Sequence, residues 1–97
     1  MQKIRNLISP DKKVYIILNN EEIRKKFMAD AEKEGITFSD GVLPTQRKAE
    51  DVMSLQKDGT ICYLGWAGRI CFKSMQENVL RIDYEEYTKH EKQDIFS

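Results

Sequence analysis

One run constrains this chain more than any other: Val14-Tyr15-Ile16-Ile17-Leu18, five apolar or aromatic residues between Lys12-Lys13 and Asn19-Asn20. It is far shorter than the roughly 18 residues of a membrane span. Its β-branched and aromatic content favours an extended strand, and the lack of alternation means that neither face tolerates water. Such a strand belongs at the centre of a sheet, so the rest of the chain must supply neighbours on both edges. The chain has 97 residues, 40% of them hydrophobic, which is material for one domain with a real core and argues against two.

The flanking pattern supplies the other elements. Residues 1–13 form a basic lead-in with Ile4, Leu7 and Ile8 at helical spacing, read as a short helix or an ordered arm. Asn19-Asn20 offers caps for a helix over 21–34, with Asn19 as N-cap and Glu22 completing a capping-box-like pair. Ile23, Phe27 and Ala31, with Met28 beside them, form its inward stripe, and Gly35 stops it. Ile36-Thr37-Phe38 reads as a short strand before the turn Ser39-Asp40-Gly41. Thr45 then caps a second helix over about 45–56, with Ala49, Val52, Met53 and Leu55 or Gln56 inward and Lys57-Asp58-Gly59 as its end. Thr60–Leu64 and Arg69–Lys73 read as a β-hairpin joined by Gly65-Trp66-Ala67-Gly68. Val79–Tyr84 alternates and closes the sheet, leaving 85–97 as a charged helix or tail. The expected architecture is a single α+β domain with a mixed sheet and two helices on one face, in the order β-α-β-α-β-β-β. It divides into a lead-in (1–13), a core (14–84) and a tail (85–97).

Charge and cysteine content narrow the function classes. Sixteen Lys+Arg balance sixteen Asp+Glu. The balance gives no global attraction to nucleic acid or anionic lipid, and Lys12-Lys13 with Arg24-Lys25-Lys26 is only a local patch. Neither a nucleic-acid nor a membrane partner is expected. The basic residues gather in 1–26 and the acidic ones in 77–97, an asymmetry suited to solvated faces, to pairing within the fold or to pairing between copies of a homodimer. Cys62 and Cys71 are too few for a disulfide framework and read as reduced, buried thiols. With the single histidine, His90, they make no zinc set. The Met1–Asn6 start lacks the apolar stretch of an export signal, and the expected compartment is the cytoplasm.

No GxSxG, phosphate loop, HExxH or GxGxxG is present. The carboxylates lie on expected surfaces, not in apolar flanks, so a non-enzyme without cofactors or metal is expected. Two segments offer binding chemistry. Trp66 and Arg69 flank a glycine-bounded tip, and Trp and Arg are the side chains most enriched where proteins dock. The competing structural reading has Trp66 folded back to cap the core and Arg69 paired with an acidic neighbour. The second segment joins Ser39 and Asp40 to the helix start at Thr45, Arg47 and Lys48, where free N–H groups and cations would suit an anion; the competing reading is an ordinary capped loop.

Ser39-Asp40-Gly41 with Pro44-Thr45 and Arg47, Thr60-Ile61-Cys62-Tyr63 with Gly65-Trp66-Ala67-Gly68-Arg69, and Arg81-Ile82-Asp83-Tyr84 together resemble a group of small uncharacterised proteins of Firmicutes genomes, phages and integrative elements. The resemblance runs from about Lys13 to Tyr87 and carries no catalytic role. It implies a mobile-element accessory protein that binds and blocks a host protein, with host defence as a setting. The alternative from the residues themselves is a receptor or sponge for a small anionic nucleotide.

Overall fold

The computed structural model describes residues 3–73 and 78–89 of the chain. The apolar run becomes β1 (Lys13–Ile17), and β1 is an interior strand, as its composition requires. Val14, Tyr15 and Ile16 are all nearly excluded from solvent. A four-stranded sheet forms around it in the order β3-β2-β1-β4, with β2 at Val52–Leu55, β3 at Ile61–Tyr63 and β4 at Val79–Asp83. β1 pairs antiparallel with β2 (Val14 opposite Leu55) and parallel with β4 (Val14 opposite Leu80), and β2 pairs antiparallel with β3. The sheet is therefore mixed, and the α+β class expected from the sequence is the observed one.

Helix α1 (Glu21–Lys33) places Phe27, Met28 and Ala31 on Val14, Ile16, Met53 and Ile61 of one sheet face. Its N-cap is Asn20, not Asn19: the Asn20 side chain accepts the Ile23 N–H at 3.0 Å, while Asn19 donates to Asp83 at 2.9 Å. Gly35 ends the helix at a φ of +79°, in the left-handed region that favours glycine. Tyr84 opens a helical stretch over 84–89 on the same face and meets Phe27 edge-on at 5.2 Å. In the lead-in, Ile4–Leu7 is a 3-10 turn whose Ile4 is buried in the core. Glu34 fastens it, accepting the Ile4 N–H at 2.8 Å and the Arg5 N–H at 3.2 Å.

Three expectations are corrected, and the element order becomes β-α-β-β-α-β. The helix expected over 45–56 is absent. Pro44–Gln46 makes one 3-10 turn, and Val52-Met53-Ser54-Leu55 is β2. Val52 and Leu55 satisfy helical spacing, yet they also suit a strand buried on both faces, and so short a run cannot separate the two. The hairpin expected across 60–73 is displaced: the real one joins β2 to β3 through 56–60, where Gln56 N–H donates to the Thr60 carbonyl at 2.8 Å. Residues 69–73 belong instead to α2 (Gly65–Lys73). The two glycines taken for turn residues serve this helix. Gly65 enters it at a φ of +65°, and a Cβ on Gly68 would lie 3.0 Å from that of Leu64. The strand expected over 36–38 contracts to a single bridge, Phe38 beside Ile61, lying along the outer edge of β3. The tail from His90 onward lies outside the described residues.

Helix α2 carries the chain from the β3 edge to β4, and packs Cys71 and Phe72 on Tyr15, Val52 and Val79 of the face opposite α1. The two faces differ in character. The α1 face presents Val14, Ile16, Met53, Leu55, Leu80 and Ile82. The α2 face bears one polar or polarizable residue per strand in a single register row: Cys62, Ser54, Tyr15 and Arg81.

Candidate functional site

The segments singled out in the sequence lie at the same end of the sheet, linked by the loop that enters β2. Tyr63, closing β3, donates its hydroxyl to the Lys48 carbonyl at 2.7 Å. Arg69 on α2 pairs with Asp51 at 3.0 Å and Glu50 at 3.6 Å. The guanidinium holds the Asp51 carboxyl below the ordinary aspartate range.

The side chains expected to meet an anion are occupied by the protein's own carboxylates. Thr45 donates both its N–H (3.2 Å) and its hydroxyl (2.6 Å) to Glu32 of α1. That carboxylate sits where an anionic ligand was expected, and the three-residue 3-10 turn has no helix N-terminus to offer beyond it. Arg47 forks onto Asp40 at 2.7 and 3.3 Å and lies 4.7 Å from the centre of the Phe38 ring. The paired guanidinium depresses the Asp40 pKa, helped by the Val42 N–H. Ser39 is exposed, and its N–H joins the β3 edge through the Ile61 carbonyl at 3.1 Å. Lys48 is exposed. Ser39, Asp40, Thr45 and Arg47 therefore fasten a loop to α1 and β3, which is the competing reading of that segment.

Trp66 and Arg69 divide between their two readings. Arg69 is paired with acidic neighbours. Trp66 does not fold back: it is 83% exposed, and Ile70, one helical turn on, is 54% exposed. Residues four apart lie on the same side of a helix, so α2 bears an uncovered apolar ridge flanked by the ion-paired Arg69.

A second feature had no counterpart in the sequence reading. Helix α2 leaves part of this sheet face uncovered as a cleft of about 610 Å³. Tyr15, Ser54 and Cys62 form the floor, Leu64 and Gly68 one wall, and Lys12, Lys13 and Lys57 part of the rim. Gln56 organises the floor, its amide nitrogen donating to the Ser54 hydroxyl at 3.0 Å and to the Cys62 sulfur at 2.9 Å. The Tyr15 hydroxyl is pushed up to about 12 by burial first and by its hydrogen bond with Cys71 second. The signal in the sequence was Ser54, a polar residue between Met53 and Leu55; with 45–56 read as helical, it fell on a solvated surface.

Among the described residues no group of three or more His, Cys, Asp or Glu is placed to hold a metal, and no helix is long and apolar enough to cross a membrane. Comparison with protein-family models, curated proteins and solved structures returns no match.

Proposed function

We propose that this chain is a non-enzymatic binding protein that docks a partner protein through the Trp66–Ile70 ridge of α2. The observation that carries this reading is the exposure of the single tryptophan on a regular helix, with a second apolar side chain one turn away. Removing a broad aromatic face from water is a main source of affinity in protein interfaces, and such residues commonly dominate alanine scans. Arg69, held in place by Asp51 and Glu50, gives the ridge a polar flank that orients an incoming surface. A host protein as the partner, in the setting of a mobile-element accessory protein, follows from the resemblance given above. A nucleotide held by Thr45, Arg47 and Arg69 finds less support, since each of these already holds a carboxylate.

Trp66 is its own reporter. A photo-crosslinking residue at position 70 should capture one dominant host protein. Titrating that protein should shift the tryptophan emission to the blue as the indole leaves water. Trp66→Ala should abolish capture while melting like the parent chain. Equal capture by Trp66→Ala overturns the assignment, and a blue shift on anionic vesicles with no protein captured would replace the partner with a membrane surface.

A further inference from the structure

The α2-side cleft combines a ligand-sized volume, a polar floor and a rim on which three lysines outnumber two aspartates. Its volume of about 610 Å³ falls in the range of small-molecule sites, roughly 300–1,000 Å³. Tyr15, Ser54 and Cys62 stand side by side on three adjacent strands, a register that the backbone ladder fixes. The floor is consequently fixed in register and offers the Ser54 hydroxyl and the Cys62 thiol beside the buried Tyr15. Gln56 spans the last two with its amide nitrogen, which leaves its side-chain oxygen as an acceptor.

Arg24, Lys26, Arg47 and Arg69 each have a carboxylate partner. Lys12, Lys13 and Lys57 have none within ion-pair distance among the described residues; Lys13 reaches only the Cys71 sulfur, at 3.7 Å. The two aspartates of the rim are engaged within their own turns, Asp11 by the Ser9 hydroxyl and Asp58 by the Thr60 hydroxyl and N–H. The aspartates keep their charge, so the rim is net positive by one, and three lysines outside any ion pair beside a polar floor suit an anion with a hydrogen-bonding body.

We infer that this cleft is a binding site for a small phosphate monoester, its phosphate held by Lys12, Lys13 and Lys57 and its uncharged body lying over Ser54 and Cys62. The site is independent of the docking ridge, since neither Trp66 nor Ile70 lines it.

The test is amide NMR on the full chain, titrated separately with adenosine monophosphate, ribose 5-phosphate and adenosine. The two phosphate esters should shift the amides of Lys13, Tyr15, Ser54 and Cys62. Adenosine should bind at least about tenfold more weakly, as expected when a charged hydrogen bond is lost. The Lys13→Gln/Lys57→Gln variant changes only exposed side chains and should reduce phosphate-ester affinity by a similar factor with an unchanged amide spectrum elsewhere. Trp66→Ala should bind the esters like the parent, whether or not it retains a protein partner. Absence of shifts with both esters at millimolar concentration overturns the inference. So does equal affinity for adenosine, or undiminished affinity in the lysine variant.

Discussion

Trp66 and Phe27 are both aromatic and both helical, yet the fold needs only one of them. Phe27 is completely buried between α1, the sheet and Tyr84, whereas Trp66 touches water over most of its surface. Removing a buried phenylalanine costs the transfer of its ring and the cavity left behind, about 3–5 kcal/mol, whereas an exposed substitution stays within about 0.5 kcal/mol. Urea unfolding should therefore separate Phe27→Ala from Trp66→Ala by several kcal/mol. At this scale the sequence was informative about apolar residues and poor about charged ones. Phe27 and Ala31 are buried where periodicity placed them, and Ile16 where the unbroken apolar run did. The partners of Arg47 and Thr45 were hidden, because Asp40 and Glu32 are brought to them by a loop path that no local pattern encodes.

Elements were legible where their residues satisfied one structure only. β1 admits no helical reading, and α1 carries a cap, a stripe and a stop that agree. Ambiguity entered at 45–73, where Val52 and Leu55 fit both periods and Gly65-Trp66-Ala67-Gly68 has turn composition. The hairpin signal that mattered was Asp58-Gly59 between two apolar runs, with Gly59 at a φ of +86°. The lead-in shows how far an element can depend on one side chain. Both oxygens of Glu34 are used to hold the Ile4 and Arg5 N–H groups. Glu34→Ala leaves the part-buried Ile4 N–H without its partner, at about 1 kcal/mol, and should loosen Ile4 from the core. Amide exchange checks this: protection at Ile4 and Arg5 should vanish while that of β1 persists.

For the molecule as a whole, pH acts from two directions. Asp40, Asp51 and Asp58 are depressed below their unfolded values by Arg47, Arg69 and Thr60 respectively. The stability they contribute is complete above the unfolded aspartate value of about 3.9 and is lost as pH falls through the folded values. Tyr15 and Tyr84 are raised, Tyr84 by burial and then by its hydrogen bond to Asp30. Their contribution is complete below the unfolded tyrosine value of about 10 and declines as pH rises from there through the folded values. The urea midpoint should form a plateau between these limits, and the alkaline fall should flatten in a Tyr15→Phe/Tyr84→Phe variant. A fall of unchanged steepness in that variant would assign the alkaline limb to other groups.

The strand order also sets a schedule. β1 is made early, but its second neighbour, β4, is the last of the described strands to leave the ribosome. Until β4 emerges, the most apolar segment of the chain presents an open backbone edge, and open apolar edges are where nascent chains join one another. The interior strand of the finished protein is thus the most adhesive surface of the unfinished one, and the interval between synthesis of residues 17 and 83 is when that edge lies open.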